Sequence, residues 1–141
     1  MQRPFSDEQS RLLVNLRMRY DAWIDVEREA ASLPYDLRRK TVHGRDYLYH
    51  ITDRSGNGKS LGPLTPDREK QWGEYRTRKA DLKARSQLMR QTLAESAALY
   101  RALRLPLLSS EAGPILRECD RRRLLGTQLL VVGTNAISAY M

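Results

Sequence analysis

The sequence predicts a mainly α-helical protein with a β-hairpin, in which long antiparallel helices precede the first helix, strand and helix of an α/β domain. Two amphipathic stretches without internal proline predict the long helices. A segment that alternates in polarity and ends in a glycine-rich turn predicts the hairpin. The chain has 141 residues, which is the length of about one domain.

The first helix is predicted from about Ser6 to Ala31. Ser6 is a cap-like residue, and the acidic residues that follow it in the first turn favour the positive end of a helix. The helix should end before Pro34, since the residue that precedes a proline is pushed out of the helical region. Its apolar face has helical spacing and consists of Leu12, Leu13, Leu16, Tyr20, Trp23 and Ile24.

A β-hairpin is predicted over about residues 41–62. Tyr47, Tyr49 and Ile51 alternate with Leu48, His50 and Thr52, and the Ser55–Gly58 turn follows with residues that tolerate positive φ. The returning strand is short, at about Lys59–Leu61. A two-stranded ribbon of this kind is marginal in water, so we expect it to pack against helices.

The long helix is predicted over about residues 66–105. Thr65 supplies a capping hydroxyl and Pro66 suits the first helical position. No further proline occurs before Pro106, and an apolar stripe continues to Leu103. This helix should pair with the first one in an antiparallel arm. Residues 1–106 are therefore interpreted as a helical accessory region.

Residues 107–141 are predicted to begin a second unit. A shorter helix is expected from about Ser109 to Gly126, and the apolar run Gln128–Val132 has the composition of a strand buried on both faces. A glycine turn and a helix over Ala136–Met141 should follow. Such a strand lacks neighbours, so we expect a homo-oligomer or association with a missing C-terminal segment.

The charge of the chain favours a polyanionic partner. Lys and Arg number 25 against 17 Asp and Glu, which gives a formal net charge of +8, and basic surfaces bind nucleic acid or nucleotide phosphates. Two groups of residues are candidates for nucleic-acid binding, although a solvated helix face and a packed hairpin face are the structural alternatives. On the long helix these are Arg78, Lys79, Lys83 and Arg85, and on the hairpin Tyr47, Tyr49, His50, Arg54 and Lys59.

Several classes of protein are disfavoured. Cys119 is the only cysteine, which excludes an internal disulfide, and with two histidines the chain is poorly equipped for a zinc site. Residues 56–60 contain a Gly-Lys-Ser triplet but lack the glycine spacing of a phosphate loop. The N-terminus lacks the features of a secretory signal, and no sufficiently long apolar stretch predicts a membrane span. A cytoplasmic location is therefore predicted.

The segment that follows Leu129 carries the most specific motif. It predicts a buried strand that ends in Gly133 and Thr134 and turns at once into a helix, so that backbone amides and a hydroxyl lie at a positive helix N-terminus. Together with Tyr47-Leu-Tyr49 and Ser60-Leu-Gly62-Pro63, it resembles the N-terminal portion of a bacterial family of nucleotidyltransferase-like proteins, of the DNA polymerase β superfamily. The alternative is a packing role for Gly133.

The resemblance implies transfer of a nucleoside monophosphate from a nucleoside triphosphate to an unknown acceptor, with Mg²⁺ as cofactor. Gly133, Thr134 and Asn135 are the implied nucleotide-binding residues. The family also requires an Asp-x-Asp or Asp-x-Glu pair on the next strand, but no Asp or Glu occurs after Asp120. No catalytic or metal-binding residue is therefore assigned, and the chain is expected to be inactive alone. The alternative function is a basic helical module that binds nucleic acid or acts as an adaptor.

Overall fold

The computed structural model describes residues 3–129, which form three helices and three strands. Two compact units are present among them. Unit 1 contains residues 3–28 and 86–129, and unit 2 contains residues 29–85. In chain order the elements are α1 (Asp7–Ser32), β1 (Asp36–Val42), β2 (Arg45–Ile51), β3 (Gly58–Pro63), α2 (Pro66–Ala102) and α3 (Ala112–Arg121). The predicted mainly helical character is confirmed.

Helix α1 begins at a capping box. The Ser6 hydroxyl accepts a hydrogen bond from the Gln9 amide at 3.2 Å, and the Gln9 side-chain oxygen accepts one from the Ser6 amide at 2.9 Å. The two bonds satisfy amides that would otherwise lack partners at a helix start. The helix ends at Ser32, two residues before Pro34. Both ends agree with the prediction to within one residue.

Helix α2 is also confirmed, with 37 residues. The Thr65 hydroxyl accepts a hydrogen bond from the Arg68 amide at 3.3 Å, which is the predicted cap. The helix ends at Ala102, slightly earlier than predicted, and Arg104 then adopts a left-handed φ of 53°. The helix therefore stops through a backbone reversal before Pro106, rather than at the proline itself.

The sheet has three antiparallel strands in the order β1-β2-β3, so the prediction of a two-stranded ribbon was wrong in strand number. The predicted hairpin corresponds to β2 and β3, which the Ser55–Gly58 turn connects. Strand β1 pairs with the other side of β2 through a two-residue turn, in which His43 and Gly44 both have positive φ. Such turns match the twist of hairpin strands.

Unit 2 has a small core in which the sheet packs against α2. Leu37 from β1, Leu48 from β2 and Tyr75 from α2 form a buried cluster. Two aromatic side chains of α2 also bond to the backbone of the first strand region: Trp72 Nε1 donates to the Leu37 carbonyl at 3.0 Å, and the Tyr75 hydroxyl donates to the Pro34 carbonyl at 2.9 Å. The expectation that the ribbon requires helical support is met by these contacts.

In unit 1 the residues of α1 run antiparallel to those of α2. The Gln9 side chain donates to the Leu103 carbonyl at 2.9 Å, and Arg19 donates to the Ser96 hydroxyl at 2.6 Å. Near the other end of this pair, the Ser86 hydroxyl donates to the Glu27 carboxylate. Later residues of α1 therefore contact earlier residues of α2, which is the antiparallel pairing predicted for the long helices.

Helix α3 is shorter than predicted and belongs to unit 1. Asp120 anchors it to α1: its carboxylate accepts hydrogen bonds from the Tyr20 hydroxyl at 2.6 Å and from Arg28 at 3.0 Å, and its carbonyl accepts a second one from Arg28 at 2.7 Å. Burial, and then the hydrogen bond to Asp120, raise the pKa of Tyr20 above its ordinary range. The three side chains therefore form a polar network inside this unit.

The predicted strand Gln128–Val132 lies mostly outside the described residues. Only Gln128 and Leu129 are described, and Leu129 forms an isolated parallel bridge with Leu125. The predicted nucleotide-binding residues Gly133, Thr134 and Asn135 and the helix over Ala136–Met141 also lie outside. Between residues 3 and 129, no helix has the combination of length and apolar character needed to cross a membrane.

Candidate nucleic-acid interface on the sheet

Strands β1 and β2 present two chemically different faces, because successive side chains of a strand point to opposite sides. Leu37 and Leu48 lie on the face that packs against α2. The other face, called the outer face below, carries two cations opposite two tyrosines. In the register of the sheet, Arg38 is paired with Tyr49 and Lys40 with Tyr47.

The outer face combines aromatic rings with positive charge. The Lys40 ammonium lies 4.7 Å from the centroid of the Tyr49 ring, within the range of a cation–π contact. Tyr47 and Tyr49 are both half-buried, whereas Leu48 between them is fully buried. Arg38 forms an ion pair of 2.6 Å with Asp36, which fixes its guanidinium on the same face. Ring surface and cationic groups are thus available side by side.

The hairpin residues predicted to bind nucleic acid do not all share this face. Tyr47 and Tyr49 do, but His50 is paired with Leu37 and lies on the opposite face. Arg54 is exposed in the turn after β2, and Lys59 is paired with His50 on β3. Of the five predicted hairpin residues, the outer face therefore contains the two tyrosines and does not contain the other three.

The cations of the outer face were missed because β1 was not predicted as a strand. Its sequence, Asp36-Leu-Arg-Arg-Lys-Thr-Val42, has one buried apolar residue, an exposed valine at its end and otherwise charged or polar side chains. An available signal was the pair His43-Gly44, which can form a two-residue hairpin turn directly before β2. That turn implies an antiparallel strand upstream, and hence Arg38 and Lys40 beside the tyrosines.

The four candidate cations of α2 are in several environments. Arg78 forms ion pairs with Glu29 and, at 3.5 Å, with Asp81, and Arg85 approaches Asp81 at 3.9 Å. The Lys79 ammonium donates to the Tyr35 carbonyl at 2.6 Å and to the Tyr75 hydroxyl at 3.0 Å. Arg78 and Lys79 therefore contact other segments of unit 2 through Glu29 and Tyr35.

Lys83 is the remaining member of this set, and its side chain is exposed on α2. Exposed lysines are ordinary on a solvated helix face. The partners of Arg78 and Lys79 are compatible with the structural alternative raised for the basic helix, and binding of nucleic acid by these four residues stays a prediction. None of the four lies on the outer face of the sheet, which β1 and β2 form.

The described residues contain no group of three or more His, Cys, Asp or Glu side chains that could hold a metal ion. The Mg²⁺ that the family resemblance implies stays a prediction. Glu118 accepts hydrogen bonds from Arg121 and Arg122, which lower the pKa of Glu118 to about 2.

Comparison with known proteins identifies no relative of the chain. The chain matches no protein-family model, no curated protein and no solved structure. Its function must therefore be inferred from its own residues, among which the outer face of the sheet offers the most specific chemistry.

Proposed function

We propose that the outer face of the sheet in unit 2 binds single-stranded nucleic acid. The observation that carries the proposal is the contact of Lys40 with the ring of Tyr49 at 4.7 Å, on a face that also carries Tyr47 and Arg38. Proteins that bind single strands combine aromatic rings, on which bases stack, with cations that neutralise the backbone. Both elements occur here on two neighbouring strands.

The position of the tyrosines supports stacking rather than a purely structural role. Leu48 supplies the contact of β2 with the buried cluster of unit 2, and neither Tyr47 nor Tyr49 belongs to that cluster. Alternate residues of a strand are close to 7 Å apart, or about twice the rise per residue. Two rings at this spacing can each receive one base of an extended strand.

The charge of the chain supports a nucleic-acid partner over a neutral one. The formal net charge is +8, and Lys40 places a positive charge beside the rings, whereas the charge of Arg38 is paired with Asp36. Neutralisation of phosphates by such groups releases counterions, and this release drives association at low salt. Affinity should therefore fall as the salt concentration rises.

We expect Tyr49→Leu to weaken binding of a fluorescently labelled oligouridine by roughly 5-fold to 150-fold, because stacking of one base on an aromatic ring is worth about 1–3 kcal/mol. Fluorescence anisotropy at fixed salt measures the affinity. Tyr49→Phe is the matched control, since it keeps the ring and should bind nearly as the wild type does. Equal binding by wild type and Tyr49→Leu, with circular dichroism unchanged, would contradict the proposal.

A second candidate function is nucleotidyl transfer, in a nucleotidyltransferase-fold protein of which this chain supplies the helical accessory region. It is favoured by the sequence Leu129-Leu-Val-Val-Gly-Thr134, in which a predicted strand ends in glycine and threonine. On this proposal the amides near Gly133 and the Thr134 hydroxyl hold a nucleoside triphosphate. The metal-binding carboxylates would have to come from residues that follow Met141.

This second proposal predicts a reading frame that continues past Met141 and encodes an Asp-x-Asp or Asp-x-Glu pair. In the protein translated from that frame, we expect Gly133→Asp to abolish binding of a fluorescent ATP analogue, because a carboxylate there repels the triphosphate. Gly113→Ala is the control, since a methyl group at Gly113 meets open space. A frame without such a pair, or unchanged binding by Gly133→Asp, would refute it.

A further inference from the structure

A second cationic site lies beside β1 in unit 2. It is a pocket of about 440 Å³ between this strand and α2. Three arginines line the pocket, and the one carboxylate among the lining side chains is that of Asp36. Asp36 already forms an ion pair with Arg38. Arg39 likewise pairs with Asp46, so the uncompensated positive charge of the pocket comes mainly from Arg76.

Arg76 is held by an aromatic ring rather than by a carboxylate. The guanidinium carbon of Arg76 lies 5.1 Å from the centroid of the Trp72 ring, within the range of a cation–π contact. Trp72 is itself fixed, because its indole nitrogen donates to the Leu37 carbonyl at 3.0 Å. A cation held over a ring keeps its N–H groups for other acceptors, and a guanidinium fork matches a phosphate well.

Arg39 is fixed by a different contact. Its guanidinium forms an ion pair of 2.5 Å with Asp46, and the same carboxylate accepts a hydrogen bond from the Thr41 hydroxyl at 2.6 Å. The bond from Thr41, followed by that from Arg39, lowers the pKa of Asp46. A guanidinium has five N–H donors, so Arg39 retains donors beyond those that face Asp46. Both arginines are thus oriented before any ligand arrives.

We infer that this pocket binds a phosphate group through Arg39 and Arg76, and that in a nucleic-acid complex the phosphate belongs to the backbone of the bound strand. The inference rests on the proposed function of the outer face and adds the site of backbone contact. Strand β1 is an edge strand, with Lys40 on the outer face and Arg39 lining the pocket. A nucleic-acid strand that crosses this edge can stack its bases on one side and place a phosphate on the other.

Free phosphate and a backbone phosphate share the chemistry that this pocket recognises, so the test uses both. The first arm measures affinity for the labelled oligouridine over a series of salt concentrations. We expect Arg76→Gln to weaken binding by about tenfold or more, as for loss of a hydrogen bond to a charged group. The slope of log affinity against log salt should also fall by about 0.7, the value for one phosphate contact in a single strand.

Lys70→Gln is the matched control for this arm. It also removes one positive charge from α2, but the Lys70 side chain is 79% exposed and is not part of the pocket lining. We expect Lys70→Gln to leave the slope nearly unchanged. If Arg76→Gln and Lys70→Gln behave alike while Tyr49→Leu weakens binding, the phosphate pocket is refuted and the stacking function stands.

The second arm uses Trp72 as a reporter and inorganic phosphate as the probe. The Trp23→Phe background removes the other tryptophan, which lies in unit 1. Phosphate bound to Arg76 should change the Trp72 emission, because the Arg76 guanidinium lies over the Trp72 ring, and Arg76→Gln should remove this response. A phosphate response without oligouridine binding supports the pocket and refutes the nucleic-acid function. Absence of both responses refutes both proposals.

Discussion

Replacement of Leu48 by alanine is expected to lower the free energy of unfolding by about 2–5 kcal/mol, the range for large-to-small changes in a protein core. Leu48 has no exposed surface and lies in the central strand, where it packs with Leu37 and Tyr75. Alanine would leave a cavity between the sheet and α2. Tyr75 cannot move to fill it, because its hydroxyl is hydrogen-bonded to the Pro34 carbonyl. Urea unfolding, followed by tryptophan fluorescence, measures the change.

Leu88→Ala is the matched control for this prediction. It removes the same atoms from a side chain that is 65% exposed on α2, and surface substitutions usually change stability by less than about 0.5 kcal/mol. A cost below about 1 kcal/mol for Leu48→Ala would show that the sheet is not supported by this packing. The outer face would then lack the rigid base that base stacking requires.

Asp120→Ala is expected to lower the free energy of unfolding by about 2–3 kcal/mol, because it leaves the Arg28 guanidinium and the Tyr20 hydroxyl without their shared carboxylate. The estimate allows for partial exposure of the ion pair, whose side chains are 21% and 28% exposed. Arg28 also has a buried Nε atom with no hydrogen-bond partner among the described residues. Loss of Asp120 would therefore leave the Arg28 guanidinium with still fewer hydrogen-bond acceptors. Thermal unfolding measured by circular dichroism gives the change.

Two further variants separate this network from ordinary surface charge. Asp25→Ala removes a carboxylate that pairs with the same Arg28 at 3.3 Å but is 70% exposed, and such pairs contribute at most about 1 kcal/mol. Tyr20→Phe removes only the hydroxyl that donates to Asp120. The losses of unfolding free energy caused by Tyr20→Phe and by Asp120→Ala should not add in the double variant, because each substitution breaks the same hydrogen bond between Tyr20 and Asp120. Full additivity would argue against the network.

The helices were predictable because their end signals are local. Ser6 and Thr65 cap helices through side chains that reach amides three residues ahead, so sequence alone contains both partners. Strand β1 was not predictable from alternation, since an edge strand with one buried residue has almost no apolar pattern. Its tertiary position, rather than its composition, makes it a strand.

The candidate site was predictable only in part for the same reason. Tyr47 and Tyr49 stood out as an alternating pair, but their cationic neighbours lie on β1 and become adjacent only through the register of the sheet. Arg78 and Lys79 appeared to be free helix charges, yet their partners Glu29 and Tyr35 are more than forty residues away in sequence. Spacing within one helix cannot reveal such partners. The nucleotide-binding proposal concerns Gly133 and Thr134 and stays a prediction.

The run of three cations in the edge strand has a consequence for self-association. Exposed edges are where sheets of separate molecules join, and charged side chains there oppose such joining. If β1 of a second copy aligned with β1, Arg38, Arg39 and Lys40 of one molecule would meet the same three charges of the other. The side chains proposed to hold nucleic acid would therefore also oppose edge-to-edge pairing of β1 between molecules.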